Sequence, residues 1–208
     1  LLLRCANDIP QARGLGSSSA AIVGGILAAR ALTVDGVAKL DDAAVLALAS
    51  ELEGHPDNVA PCLLGGFTIA YEENGVGRAV RLTPSPEIVP VAYVPAERGL
   101  TAHARAALPR DVPHADAAFN AARAALLVHA LTADPDLLLS ATEDRLHQQY
   151  RAAEMRQSAD LVADLRRMGI PAVVSGAGPT VLALLRDSGS GQPAAPEFGP
   201  EWRVWQLR

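Results

Sequence analysis

The sequence predicts an α+β protein, in which helices and strands occur in runs and not in a regular β-α-β alternation. Two apolar runs on either side of Asn74-Gly75 predict an antiparallel hairpin, because this dipeptide is typical of tight hairpin turns. Ala- and Leu-rich stretches before and after the hairpin predict helices. The 208 residues suffice for one large domain or two small ones, and the aromatic content of 4% predicts a core of Ala, Leu and Val.

The first part of the chain is predicted to hold two long helices before the hairpin. Leu1–Arg4 is predicted as the end of a strand that leads to a Gly/Ser loop, and Ile22–Leu32 as the helix after that loop. Asp41-Asp42 suits the start of a second helix, since carboxylates are favourable at the positive end of the helix dipole, and Gly54 suits its end. The hairpin strands are predicted within Leu63–Tyr71 and Arg78–Leu82.

The second part is predicted to combine one early strand, several helices and three late strands. Ile88–Val94 reads as a strand between prolines, and Thr101 caps a short helix that ends near Pro109. Asp134-Pro135 breaks the helical pattern. Helices are therefore predicted over 114–133, 136–149 and 151–168, and strands over Pro171–Ser175, Val181–Arg186 and Trp202–Leu207.

Composition excludes several classes of partner. The net charge of −5 and the lack of a polybasic run argue against nucleic acid and against an anionic membrane surface. No run reaches the roughly 18 apolar residues of a membrane span, and no signal peptide is visible. Cys5 and Cys62 are too few for a disulfide framework and are expected to be reduced thiols. These features predict a cytoplasmic protein.

A Gly/Ser loop precedes the first predicted helix and carries the main functional signal. Gly14, Gly16 and three serines stand immediately before an Ala/Ile/Leu-rich segment. A glycine turn lets backbone N–H groups approach a ligand, and a helix start adds unpaired N–H groups and a positive dipole end. The loop therefore predicts an anion site, most simply for a phosphate. The alternative is a flexible Gly/Ser linker.

The loop differs from the two commonest ATP-binding motifs. A Walker A motif needs a lysine after its second glycine, but position 17 is Ser and the chain's single lysine is Lys39, outside any glycine motif. The characteristic triplets of the protein kinases are also missing. The phosphate would therefore be held by backbone amides, serine hydroxyls, a metal ion and arginines.

Three motifs in order resemble a known superfamily, the GHMP kinases (galactokinase, homoserine kinase, mevalonate kinase and phosphomevalonate kinase). Pro10–Ala21 resembles the superfamily's phosphate-loop signature, and 175–181, Ser-Gly-Ala-Gly-Pro-Thr-Val, resembles its third motif. Between them, Glu53–Pro61 followed by Leu63–Phe67 resembles the middle motif of homoserine kinases. The resemblance extends over nearly the whole chain.

The resemblance implies a two-lobed fold. The first lobe, 1–82, would hold the phosphate loop and the His-Pro-Asp-Asn motif and would lack its opening segment. The second lobe, 83–208, would be a ferredoxin-like α/β sandwich. The implied activity is that of an ATP-dependent homoserine kinase, which transfers the γ-phosphate to the hydroxyl of L-homoserine and gives O-phospho-L-homoserine in threonine biosynthesis.

The resemblance also implies which residues bind ATP and Mg²⁺. Ser18 would be one metal ligand and Glu53 the acidic ligand, with Glu51 as the reserve candidate. Hydroxyl and carboxylate oxygens are ligands that Mg²⁺ prefers. The implied nucleotide-binding residues are those of the phosphate loop: Pro10, Gln11, Ala12, Arg13, Gly14, Leu15, Gly16, Ser17, Ser18, Ser19 and Ala20.

The acceptor would be met by the middle motif. His55 and Asn58 are expected to contact the hydroxyl end of the acceptor, and Asp57 could act as a base towards it. A positioned base contributes about 10²- to 10⁴-fold to the rate. The other interpretation is that Asp57 and Asn58 cap or bridge the following turn, and for Asp57 both interpretations remain open.

An amino-acid acceptor needs a group that binds its carboxylate, and guanidinium offers bidentate geometry. Thr101 and Arg105 resemble the family's Thr-x-x-x-Arg segment, and residues i and i+4 share one helix face. Arg151 matches a second arginine of homoserine kinases, with Arg145 as the nearby alternative. The third motif, through Gly176 and Gly178, would shape the phosphate or substrate pocket.

A non-catalytic nucleotide-binding domain of the same superfamily is the alternative function, and so is a GHMP kinase acting on another small alcohol. The carboxylate-binding arginines favour homoserine over a sugar or an isoprenoid acceptor. The expected partner is thus a small molecule, L-homoserine, without nucleic acid or membrane, and a homodimer is one compatible assembly.

Overall fold

The computed structural model describes residues 2–99, 106–187 and 193–207. The chain folds into two compact units. The first unit comprises Leu1–Gln11 and Gly16–Thr83, and the second comprises Ala12–Leu15 and Pro84–Arg208. Within the described ranges, no helix is both long enough and apolar enough to cross a membrane.

In its described residues, the first unit combines four helices with a two-stranded antiparallel ribbon. The core is made of small and medium apolar side chains, among them Val23, Ala49 and Val59. The ribbon turns at Asn74 and Gly75, which both have positive φ, as a tight hairpin turn requires. In order, the elements are α1 (Ser17–Leu32), α2 (Gly36–Lys39), α3 (Asp42–Glu53), α4 (Val59–Leu64), β1 (Phe67–Glu73) and β2 (Val76–Leu82).

Helix α3 has caps that the sequence predicts. The Asp41 carboxylate accepts a hydrogen bond from the N–H of Ala44, which satisfies one free donor of the first turn. Gly54 ends the helix in the left-handed conformation, with φ of 90°, which glycine adopts without steric cost. These caps fix Glu53 as the last residue of α3.

The second unit is built on a four-stranded antiparallel sheet in the order β4-β5-β3-β6. Its strands are β3 (Ile88–Pro95), β4 (Ala172–Val174), β5 (Val181–Arg186) and β6 (Trp202–Gln206). Its helices are α5 (His114–Thr132), α6 (Leu138–Ala141), α7 (Gln148–Arg151) and α8 (Arg156–Arg167), with a 3₁₀ turn at Pro135–Leu137. The strand order, with helices between β3 and β4, confirms the expected ferredoxin-like α+β arrangement.

The core of this unit lies between α8 and the sheet. Leu161 and Leu165 of α8 are buried against Val91, Tyr93 and Val181 of the two central strands. Because β5 pairs with both β3 and β4, the connection between β4 and β5 is held at one end of this packed sheet. That connection carries the third glycine motif.

Several local predictions were wrong. Residues 2–4 form no strand, and the segment around Leu63 belongs to helix α4 and not to the hairpin. The helix predicted over 136–149 is replaced by the 3₁₀ turn, α6 and an irregular stretch, and the helix predicted from 151 begins at Arg156. The interruption has a physical cause. The carboxylate of Asp144 accepts the backbone N–H groups of Leu146, His147 and Gln148, which competes with a continuous helix.

Candidate functional site

The start of α1 carries three consecutive serines. Gly16 precedes the helix in the left-handed conformation, with φ of 69°, and the helix has no side-chain cap. The serine hydroxyls turn elsewhere: Ser18 donates to Glu53 Oε2 and Ser19 donates to Glu53 Oε1, both at 3.0 Å. The helix start thus presents backbone N–H groups beside a carboxylate that two hydroxyls surround.

The group formed by Ser18, Ser19 and Glu53 suits a hard cation. Ser19 is buried and Ser18 is exposed, so one edge of the carboxylate group opens to solvent. Among the described residues, no group of three or more His, Cys, Asp or Glu side chains is arranged so that it could hold a metal ion. A magnesium ion needs only one or two protein oxygens when phosphates and waters supply the rest, and this group therefore fits it. The reserve candidate Glu51 lies exposed on the same helix.

The middle motif follows α3 directly. Pro56 is buried, and it holds the turn that places His55 and Asp57 side by side. His55 Nδ1 is shielded from solvent and lies against Asp57 Oδ1, without the geometry of a hydrogen bond. The Asp57 carboxylate is 72% exposed and remains accessible to a ligand.

Asn58 stands at the N-cap position of α4, but its side chain does not cap that helix. The interpretation of Asn58 as a side-chain cap is therefore wrong, while its backbone carbonyl accepts the N–H of Cys62 at 3.4 Å. The amide of Asn58 retains its donor and acceptor for another role.

In the second unit, the loop residues Arg13 and Gly14 lie against the third motif. Ser175 Oγ donates to the Gly14 carbonyl at 2.8 Å, and the N–H of Thr180 donates to the Arg13 carbonyl at 3.2 Å. The Arg13 guanidinium donates to the Pro95 and Ala96 carbonyls at 2.9 and 2.6 Å. Arg13 therefore anchors the backbone of this loop segment.

The third motif is a tight connection between β4 and β5. Gly176 and Gly178 both have positive φ, of 56° and 81°. The N–H of Gly178 returns to the Ser175 carbonyl at 2.9 Å, and the N–H of Ser175 reaches the Thr180 carbonyl at 2.8 Å. These bonds give the motif a fixed shape that ordinary side chains at the two glycines would strain.

Arg151 is the predicted arginine that the structure places at the third motif. It ends α7 and is 8% exposed, and its Nη1 donates to the Gly176 carbonyl at 3.2 Å. The alternative, Arg145, stacks on the Phe119 ring at 3.8 Å and pairs with Asp116. Thr101 and Arg105 lie outside the described residues.

Sequence reasoning missed the residues that support Arg151. The Asp144 carboxylate accepts the backbone N–H groups of residues 146–148 and the side-chain amide of Asn120. Gln148 Oε1 accepts the N–H of Val174 at 2.8 Å. Burial raises the pKa of Asp144, but hydrogen bonds from Gln148, His147 and Asn120 outweigh it, so that the pKa is lowered. The signal was present, since an aspartate just before a helical turn is a common N-terminal acceptor.

Comparisons with known proteins match this arrangement. Residues 1–66 match the GHMP kinases N terminal domain, and residues 114–200 match the GHMP kinases C terminal domain. A homoserine kinase of Streptomyces coelicolor is 62% identical over 98% of this chain, and one of Streptomyces avermitilis is 63% identical over 98%. The chain spans 65% and 66% of those two proteins, which is just under two thirds of their length.

A solved structure gives the same result for the fold. The crystal structure of homoserine kinase from Cytophaga hutchinsonii superimposes with a TM-score of 0.79 at 27% identity, over 88% of this chain and 59% of that one. The N-terminal and C-terminal kinase domains occur in the same order as the phosphate loop and the third motif. The chain belongs to the GHMP kinase family.

Proposed function

We propose that the protein is a homoserine kinase, which transfers the γ-phosphate of ATP to the side-chain hydroxyl of L-homoserine and forms O-phospho-L-homoserine in threonine biosynthesis. The observation that carries this proposal is the identity of 62–63% to two homoserine kinases along nearly the entire chain. An enzyme that uses ATP and an amino-acid intermediate belongs in the cytoplasm, which is the compartment we propose.

ATP would be bound through its phosphates at the start of α1. Gly16 and the serines after it leave the first-turn N–H groups without a side-chain cap, and the positive end of the helix dipole favours an anion there. The proposed nucleotide-binding residues, 10–20, comprise the loop before α1 and the first turn of that helix. The groups that the protein offers to the phosphates at this helix start are thus neutral hydrogen-bond donors and not a lysine.

Mg²⁺ would be held by Ser18 and Glu53, whose oxygen atoms already lie 3.0 Å apart. When bound, the ion would neutralise phosphate charge. The role of Ser19 is to donate to the other carboxylate oxygen, which fixes the orientation of Glu53. We therefore assign the metal to Glu53, with Glu51 as the reserve candidate.

The hydroxyl of the acceptor would be met by His55, Asp57 and Asn58. The Asp57 carboxylate is exposed and lies beside His55, and we assign it the role of accepting the proton of the acceptor hydroxyl. Asn58 stands at the N-cap position of α4 without a hydrogen bond from its side chain to the helix, and we propose that its side-chain amide binds the acceptor. We propose that the acceptor's carboxylate is bound by Arg151, Thr101 and Arg105. Gly176 and Gly178 would lie beside Arg151 in this pocket.

The test is a transfer assay with purified protein. We expect ³¹P NMR to show O-phosphohomoserine and ADP when ATP, Mg²⁺ and L-homoserine are supplied. Galactose and mevalonate, the acceptors of other members of the family, serve as matched controls and should give no phosphorylated product. Binding of ATP without transfer to homoserine would favour the non-catalytic alternative, and transfer to a control acceptor would favour another small alcohol.

A further inference from the structure

The guanidinium of Arg151 has a second contact besides the Gly176 carbonyl. Its Nη1 lies 3.3 Å from Nδ1 of His147, one helical turn earlier. Guanidinium can only donate hydrogen bonds, so Nδ1 must present its lone pair and the proton of the neutral imidazole must be on Nε2. The orientation of the Arg151 guanidinium therefore depends on the tautomer of His147 that carries its proton on Nε2.

The position of His147 is itself fixed by Asp144. The backbone N–H of His147 donates to Asp144 Oδ2 at 3.0 Å, and the N–H of Gln148 donates to the same oxygen at 2.7 Å. The protonated Nε2 of the imidazole lies 4.0 Å from Asp144 Oδ1. His147 is thus held on both sides, by a carboxylate and by a guanidinium.

We propose that His147 is a positioning residue that aims the Arg151 guanidinium at the acceptor's carboxylate, and that protonation of His147 weakens acceptor binding. This inference rests on the proposed function, in which Arg151 binds that carboxylate. The Gly176 carbonyl and the His147 imidazole are both acceptors for the same Nη1. Two acceptors on one nitrogen restrict its direction more closely than either of them does alone.

The charges around His147 favour its neutral form. Burial lowers the pKa of His147, the nearby Asp144 raises it, and Arg151 lowers it further, so that the pKa lies below its usual value. The other charged groups near His147 form ion pairs with side chains of α5. Glu143 pairs with Arg123, and Arg145 pairs with Asp116. A protonated imidazole would turn an N–H towards Arg151 and place two positive charges side by side.

The test compares two substitutions at His147. His147→Ala removes the acceptor, and we expect the KM for homoserine to rise about tenfold while the KM for ATP stays unchanged. His147→Asn retains an acceptor at the position of Nδ1 but cannot be protonated, and we expect a KM near that of the wild type. The same change to alanine at His129, exposed on α5, is the matched control and should alter neither KM.

The pH dependence separates positioning from a general structural role. As the pH falls below about 6.5, the ordinary pKa of an imidazole, the homoserine KM of the wild type should rise as His147 becomes protonated, whereas that of His147→Asn should stay flat. The ¹⁵N resonance of Nδ1 at neutral pH should be that of an unprotonated nitrogen.

Two results would count against the positioning role of His147, and a third would count against the function on which it rests. A protonated Nδ1 at neutral pH would overturn it, and so would an unchanged homoserine KM in His147→Ala while the wild type is active. A wild-type protein without transfer to homoserine would overturn the proposed function instead.

Discussion

Ser175 Oγ donates a hydrogen bond of 2.8 Å to the carbonyl oxygen of Gly14, 161 residues earlier in the chain. The contact joins the first glycine motif to the third, and it leaves no space for a side chain at position 14. A Cβ at this position would overlap the Ser175 carbonyl and lie 2.9 Å from the Gly178 carbonyl. Backbone atoms cannot move aside as the end of a flexible side chain can, so this glycine is required by packing as well as by its φ of 76°.

The first prediction compares the two glycines of the phosphate loop. Gly14→Ala should lower the free energy of unfolding by about 3 kcal/mol or more, from positive φ and steric overlap together. Gly16→Ala is the matched control, since Gly16 also has positive φ but its Cβ would meet nothing within 4 Å. It should cost about 1–2 kcal/mol. Equal losses in urea denaturation would show that the contact with Ser175 does not constrain Gly14.

The second prediction concerns the metal. Ser18→Ala and Glu53→Gln should each lower kcat at least tenfold, with a much smaller effect on the homoserine KM, because the removed group acts on the transferring phosphate. Both variants should also require a higher Mg²⁺ concentration for half-maximal rate. Glu51→Gln is the matched control on the same helix. If Glu51→Gln lowers kcat and Glu53→Gln does not, the ligand assignment is reversed.

The third prediction concerns Asp57. Asp57→Asn keeps the shape of the side chain beside His55 but removes a proton acceptor, so kcat should fall by about 10²- to 10⁴-fold without being abolished. Stability should hardly change, because the carboxylate is 72% exposed. A kcat within a factor of about two would mean that the side chain does not act as a base.

The fourth prediction concerns the pH dependence of stability. The hydrogen bonds to Asp144 hold its folded-state pKa below its ordinary value, despite burial. A carboxyl with a lowered pKa stabilises the fold above its unfolded-state pKa, and it loses that contribution as the pH falls through the folded-state value. Asp144→Asn should therefore cost about 1–3 kcal/mol near neutral pH.

This loss should shrink as the pH falls below about 3.9, the ordinary pKa of an aspartate in the unfolded chain, towards the lowered folded-state pKa of Asp144. The measurement is the free energy of unfolding as a function of pH. Asp164→Asn, at an exposed pair with Arg167, is the control and should stay within about 0.5 kcal/mol at every pH. A loss at Asp144 that does not vary with pH would contradict the lowered pKa.

Elements with local signals could be predicted from the sequence. Asp41 and Gly54 fix the ends of α3, and Asn74-Gly75 fixes the turn of the ribbon, because caps and turns depend on neighbouring residues. The break after α6 depends both on a local signal, an aspartate before a helical turn, and on a contact that no local pattern shows. Asp144, which causes it, is oriented by Asn120 on α5, and that contact exists only in the folded chain.

The same distinction applies to the candidate site. The pairing of Ser18 with Glu53 was expected from a family resemblance, and the fold brings the two oxygens together. The support of Arg151 by His147 was not expected, because no motif marks the histidine and its role depends on which nitrogen carries the proton. Residues that act through another residue leave little trace in the sequence.

The missing side-chain cap on α1 has a thermodynamic consequence. Ser18 and Ser19 direct their hydroxyls to Glu53, so the amides of the first turn find no oxygen from a capping side chain. A nucleotide that supplies those oxygens binds the folded protein in preference to the unfolded chain. The free energy of unfolding should therefore rise with nucleotide concentration, by about 2.7 kcal/mol at one hundred times Kd, and the melting temperature should rise with it. A nucleotide that binds at this helix start, as we propose, would therefore also cap α1.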